Sequence, residues 1–133
     1  MKIEGTEKLT YPAIEIFRTI RDKSPELVAL MPNIERMETA ERKEEGAVVT
    51  LLNKWEGSDN DVPKVLRPFL KKEFVSWSDW AVWNEETLQC EWEIESALSK
   101  EVFACKGATT FKDEGDGCLF RLAGDLHVDP NHV

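Results

Sequence analysis

The segment from Leu88 to Glu95 most narrows what this chain can become. Leu88, Cys90, Trp92 and Ile94 alternate with Gln89, Glu91, Glu93 and Glu95. Such a period of two fits a strand with one packed face and one wetted face. The closing segment repeats it, with Cys118, Phe120, Leu122, Leu126 and Val128 opposed by Arg121, Asp125 and His127. Further strand-like runs cover Ile34 to Glu44, Ala47 to Trp55, Phe74 to Trp83 and Val102 to Lys112. Their joints at Glu44-Glu45-Gly46, Asn84-Glu85-Glu86, Ser99-Lys100-Glu101 and Asp113 to Gly117 are short and polar, as hairpin turns require.

Ahead of this meander, Lys2 to Leu9 reads as a first strand. Thr10 is placed as a helix N-cap and Pro12 in the first turn, where its missing N–H costs nothing. Ile14, Phe17 and Ile20 then recur at helical spacing. A second short helix is expected from Ser24-Pro25-Glu26 to Met31, stopped by Pro32. Gly57 to Asp61 reads as a loop, and Val62 to Leu70 as a short helix limited by Pro68. The expected class is α+β: one strand, two short helices and six further strands. A seven-stranded antiparallel sheet of this kind must curve, or be covered, to hide its apolar face. No repeat or Gly/Pro/Ser-rich linker divides residues 1–133, so a single domain is expected.

Charge and cysteine usage exclude several roles. The formal net charge of −9 repels phosphate backbones and anionic headgroups, so no nucleic-acid partner is expected. No stretch approaches eighteen apolar residues, so no stable membrane insertion is expected. Met1 to Gly5 lacks the apolar run of a signal peptide, which points to the cytoplasm. Cys90, Cys105 and Cys118 form no C-x-x-C pair and sit in apolar or alternating stretches. They read as buried free thiols. Phosphate-binding glycine loops, H-E-x-x-H and G-x-S-x-G are all absent from the sequence.

The residues left to carry chemistry are mostly aromatic. All five tryptophans lie between Trp55 and Trp92. By strand parity Trp77, Asp79, Ala81 and Trp83 share one face, while Ser76, Ser78, Trp80 and Val82 take the other. Indole rings suit either a plain core or the wall of an apolar pocket that needs a few donors. Asp79, flanked by Trp77 and Trp83, is the candidate acid or base, since desolvation would raise its pKa; the same acid also fits a solvated face. Asn53 and Arg121 are further polar candidates, with Arg121 on the wet side of its strand. Asp125, His127, Asp129 and His132 resemble a metal set only loosely, because their face is polar and no other histidine exists. No metal and no cofactor are expected. Lys64, Arg67, Lys71 and Lys72 form a basic patch that would either solvate a short helix or guide an anionic ligand.

The element order is similar to the START-type, helix-grip fold of the SRPBCC superfamily, which includes polyketide cyclases and lipid-transfer domains. The resemblance rests on the strand-helix-helix opening through Pro12 and Pro25 and on Val62-Pro63. It also rests on Trp77 to Trp83, Trp92 to Glu95, and the closing Gly124 to Asp129. It implies a curved sheet gripping a long C-terminal helix around an apolar cavity. Asp129-Pro130 is a good helix start, yet the sequence runs only to Val133, too short for a stable helix. A START-like domain truncated at its C-terminus is therefore expected, with a possible homodimer through the exposed concave face. The function implied is binding or transport of a small hydrophobic, lipid- or polyketide-like ligand. Asn53, Trp55, Trp77, Asp79, Trp83, Trp92 and Phe120 are its expected contacts. The alternatives are a cyclase or dehydratase using Asp79, or a protein-interaction module.

Overall fold

Alternating strands dominate the computed structural model, which describes residues 1–58, 64, 65, 68, 75–101 and 103–129. Strand β1 (Lys2–Leu9) is followed by helix α1 (Ala13–Leu27) and a 3-10 turn (Val28–Leu30). Then come β2 (Ile34–Glu45), β3 (Val48–Gly57), β4 (Ser76–Asn84), β5 (Gln89–Ser96), β6 (Phe103–Glu114) and β7 (Gly117–Val128). They form one seven-stranded sheet in the order β1-β7-β6-β5-β4-β3-β2. Every pairing is antiparallel, and the first strand docks on the last. The α+β class and the strand meander therefore hold.

The helical opening differs from the expectation of two short helices. A single helix runs through Pro25 to Leu27 and tightens into the 3-10 turn. The Ser24 hydroxyl donates to the Ile20 carbonyl, a back-bond that bends a helix and eases a proline into its last turn. Thr10 is not the cap. Pro12 holds the N-cap position without a side-chain bond, and the Ala13 N–H donates instead to Asp113 Oδ1 at 2.8 Å. Among the described residues no helix follows β7. Most of the expected helix over Val62 to Leu70 and three members of the basic patch lie outside the described residues; Lys64 is exposed.

Helix α1 packs on one face of the sheet, here called the inner face. Phe17, fully buried, meets Trp83 edge-on at 5.1 Å and Phe111 at 5.4 Å. Phe111 in turn meets Phe120 at 5.4 Å. Each edge-to-face pair adds roughly 1 kcal/mol beyond the area it buries. Val49, Leu51, Ala81, Cys90, Cys105 and Cys118 complete the buried cluster around them. The three thiols are thus free and buried, as expected.

Two glycines set the shape of the sheet's middle. Gly107 and Gly124 face each other across β6 and β7. A Cβ on Gly107 would lie 2.1 Å from the Ala123 carbonyl oxygen, and one on Gly124 would lie 2.6 Å from that of Lys106 and 2.8 Å from the Trp92 ring. Only glycine permits that approach, and the Trp92 ring occupies the room it leaves.

Candidate ligand-binding site

Strand register assembles the inner face beyond α1. Asn53 opposes Asp79 and Trp55 opposes Trp77 across β3 and β4, while Asp79 opposes Ile94 and Ala81 opposes Trp92 across β4 and β5. Paired residues in an antiparallel sheet point to the same side. Trp55, Trp77, Asp79 and Asn53 are therefore neighbours on one surface. The two indoles stack with centroids 6.0 Å apart and planes 5° from parallel. Asn53 is buried, and its Oδ1 accepts the Thr39 hydroxyl at 2.8 Å. This leaves the Asn53 amide N–H groups for the Asp79 side.

The hydrogen-bond inventory of this surface does not close. Among the described residues, Asp79 Oδ1, Trp55 Nε1 and Trp83 Nε1 are buried and have no hydrogen-bond partner. An orphaned buried polar atom forfeits roughly 1–3 kcal/mol, and native folds retain few of them. Burial pushes the Asp79 carboxyl up from 3.8 to about 6. The nearby Trp55 N–H and Asn53 amide pull it back part of the way, too loosely placed for the Trp55 N–H to count as a formed bond. At neutral pH the group is mostly ionised and accepts hydrogen bonds. Burial also raises the Cys90 thiol, helped by the negative charge of Asp79, so Cys90 is no nucleophile at neutral pH.

The expected contact residues divide into two groups. Asn53, Trp55, Trp77 and Asp79 come together at the end of the inner face away from α1. Trp83 and Phe120 lie under α1 in the aromatic core. Trp92 is buried between them, and its N–H is already bonded to Thr109 Oγ1 at 3.0 Å. Trp92 thus forms floor rather than a free donor. Arg121 stands on the outer face and pairs with Glu4. Asp125 and His127 also project outward from β7, and His132 lies outside the described residues. Among the described residues no group of three or more His, Cys, Asp or Glu could hold a metal.

Thr39 is the member that sequence parity did not supply. An open groove of about 830 Å³ crosses the outer face past Trp80, Val82, Lys106, Ala108 and Arg121. It contains none of the orphaned atoms, so it is not the candidate site. Away from α1 the inner face is partly open, with Trp55, Trp77, Ile94, Phe103, Leu122 and Leu126 half-buried. Within the described strands, Val128 is the one inward-facing large apolar residue that is exposed.

No protein-family model and no curated protein sequence matches the chain. Solved structures do. TTHA0849 from Thermus thermophilus is similar at 20% identity over 97% of this chain and 75% of that one, with a TM-score of 0.70. The Zhui aromatase/cyclase from Streptomyces aligns at 11% identity over 97% of this chain and 68% of that one, with a TM-score of 0.71. A STAR-related lipid transfer protein from Xanthomonas axonopodis aligns at 15% identity, 97% and 69% coverage, and a TM-score of 0.64. Identities this low establish architecture and leave chemistry open. Sheet order, helix position and these likenesses agree: the seven-stranded sheet and first helix are those of the START-type helix-grip fold.

Proposed function

We propose that this protein binds or carries a small hydrophobic molecule, lipid- or polyketide-like, against the inner face of its sheet. The carrying observation is the pair of buried polar atoms, Asp79 Oδ1 and Trp55 Nε1, that find no hydrogen-bond partner beside the stacked Trp55 and Trp77. A ligand with a few polar groups on an apolar body would satisfy them. The fold likeness to a lipid transfer protein and an aromatase/cyclase supports the same reading. Ten buried methylenes contribute roughly 8 kcal/mol gross. Ordering and association remove much of this, leaving micromolar binding within reach. Three free buried thiols suit a reducing compartment, and we place the protein in the cytoplasm.

Denaturing extraction of freshly purified protein followed by mass spectrometry tests the reading. A co-purified apolar molecule is expected, together with a thermal shift of several degrees at saturating ligand. An empty extract and no shift across a panel of fatty acids, alkylammonium amphiphiles, sterols and aromatic polyketides would overturn it. The position of Asp79 favours one second reading, an enzyme of the cyclase or dehydratase type. A carboxyl held near pH 6 can exchange a proton at neutral pH. Turnover abolished in Asp79→Asn with affinity for a neutral ligand preserved would select the enzyme over the carrier.

A further inference from the structure

We infer that the ligand is cationic: an ammonium head group, primary or quaternary, on an apolar tail, seated beside Asp79. This rests on the ligand-binding reading above and narrows it to a chemical class. Among the described residues, Asp79 brings a buried acceptor oxygen with no partner, and its neighbours on the inner face bring no positive charge. Asn53 is across from it, Ile94 on the other side, and Trp55 and Trp77 one step along the strands. The closest lysine in the register, Lys54, is turned to the outer face. There it donates to Ser78 Oγ at 2.8 Å and lies 6.0 Å from the Trp80 ring centroid.

A desolvated carboxylate without a counter-ion is best completed by a ligand that supplies one. The stacked Trp55 and Trp77 add indole faces, which attract ammonium groups by cation–π interaction. At neutral pH Asp79 is mostly ionised, and a cation beside it would hold it so. A fatty-acid carboxylate would set like charges together. An alcohol would satisfy Oδ1 by a hydrogen bond and gain nothing from charge. The net charge of −9 further draws cations and turns anions away.

The test compares decylammonium, decyltrimethylammonium, decanol and decanoate, each below its micellar concentration in physiological salt at neutral pH. Binding is followed by tryptophan fluorescence. Wild type, Asp79→Asn and the exposed outer-face control Glu93→Gln are compared, with circular dichroism confirming the fold of each. Both cations are expected to bind wild type about tenfold or more tightly than decanol, with decanoate weakest. Asp79→Asn should erase that preference, while Glu93→Gln keeps it. Decanol binding wild type as tightly as the cations would overturn the cationic assignment alone. A cation preference that survives Asp79→Asn would do the same, by assigning it to general surface charge. Binding by none of the four probes would overturn this assignment and the ligand-binding reading together.

Discussion

Asp79 is where burial and charge oppose each other most directly. Its folded pKa of about 6 exceeds the ordinary 3.8, so between those values the native state holds a proton that the unfolded chain has released. Stability contributed by this group is therefore full below about pH 4, falls as pH rises toward 6, and stays level above. Asp79→Asn keeps the shape and removes the charge. It should match wild type near pH 3.5 and exceed it at pH 7.5 by at most about 3 kcal/mol. Urea unfolding at the two pH values reads the difference, and equal stability at pH 7.5 would remove the desolvation argument. Strand parity alone made the Trp77–Asp79–Trp83 face legible. It could not supply Thr39. Counting back from the Gly46 turn sets Ala40 opposite Asn53, but an irregularity between Thr39 and Glu41 slips β2 by one residue and delivers Thr39 instead. A bulge inside a polar strand has no compositional signal.

Elements were legible to the extent that their determinants are local. The strands announced themselves through period-two contrast and through hairpin glycines such as Gly46 and Gly115, which adopt φ of +60° and +61°. Leu88 is an exception. Its apolar character extends the β5 pattern, yet it sits in the turn at φ +52°, with the Phe111 N–H donating to its carbonyl. The start of α1 has no local signature because its cap is remote: Asp113 lies 100 residues from Ala13 in sequence. A carboxylate there satisfies an orphan N–H and complements the positive end of the helix dipole. Asp113→Ala should lower stability by about 1 kcal/mol, whereas Thr10→Ala should have little effect. Chemical denaturation of both variants checks this. If Thr10→Ala proves the more damaging, the cap belongs to the local residue after all.

At the scale of the whole molecule, the distribution of exposed apolar surface decides the oligomeric state. A stable interface buries at least roughly 1,000 Å² and needs a dehydrated apolar centre. Among the described residues the inner face offers a strip suited to a small ligand rather than to such an interface, because Trp83, Trp92, Phe111 and Leu51 are buried, Trp55 and Trp77 are half-buried, and Val128 alone stands out at 43% exposure. The outer face shows Trp80 and Val82 at 39% and 41%, but Glu91, Glu93, Lys106 and Arg121 surround them. Two copies each carrying a charge of −9 also repel. These terms favour a monomer over a homodimer through the inner face. Light scattering at tens of micromolar protein should report a single chain at both low and high salt, since screening removes the repulsion but creates no apolar centre. A dimer that persists in high salt and is dissociated by Val128→Glu would reinstate the inner face as an interface. It would also mean that the ligand surface and the subunit contact compete for the same tryptophans.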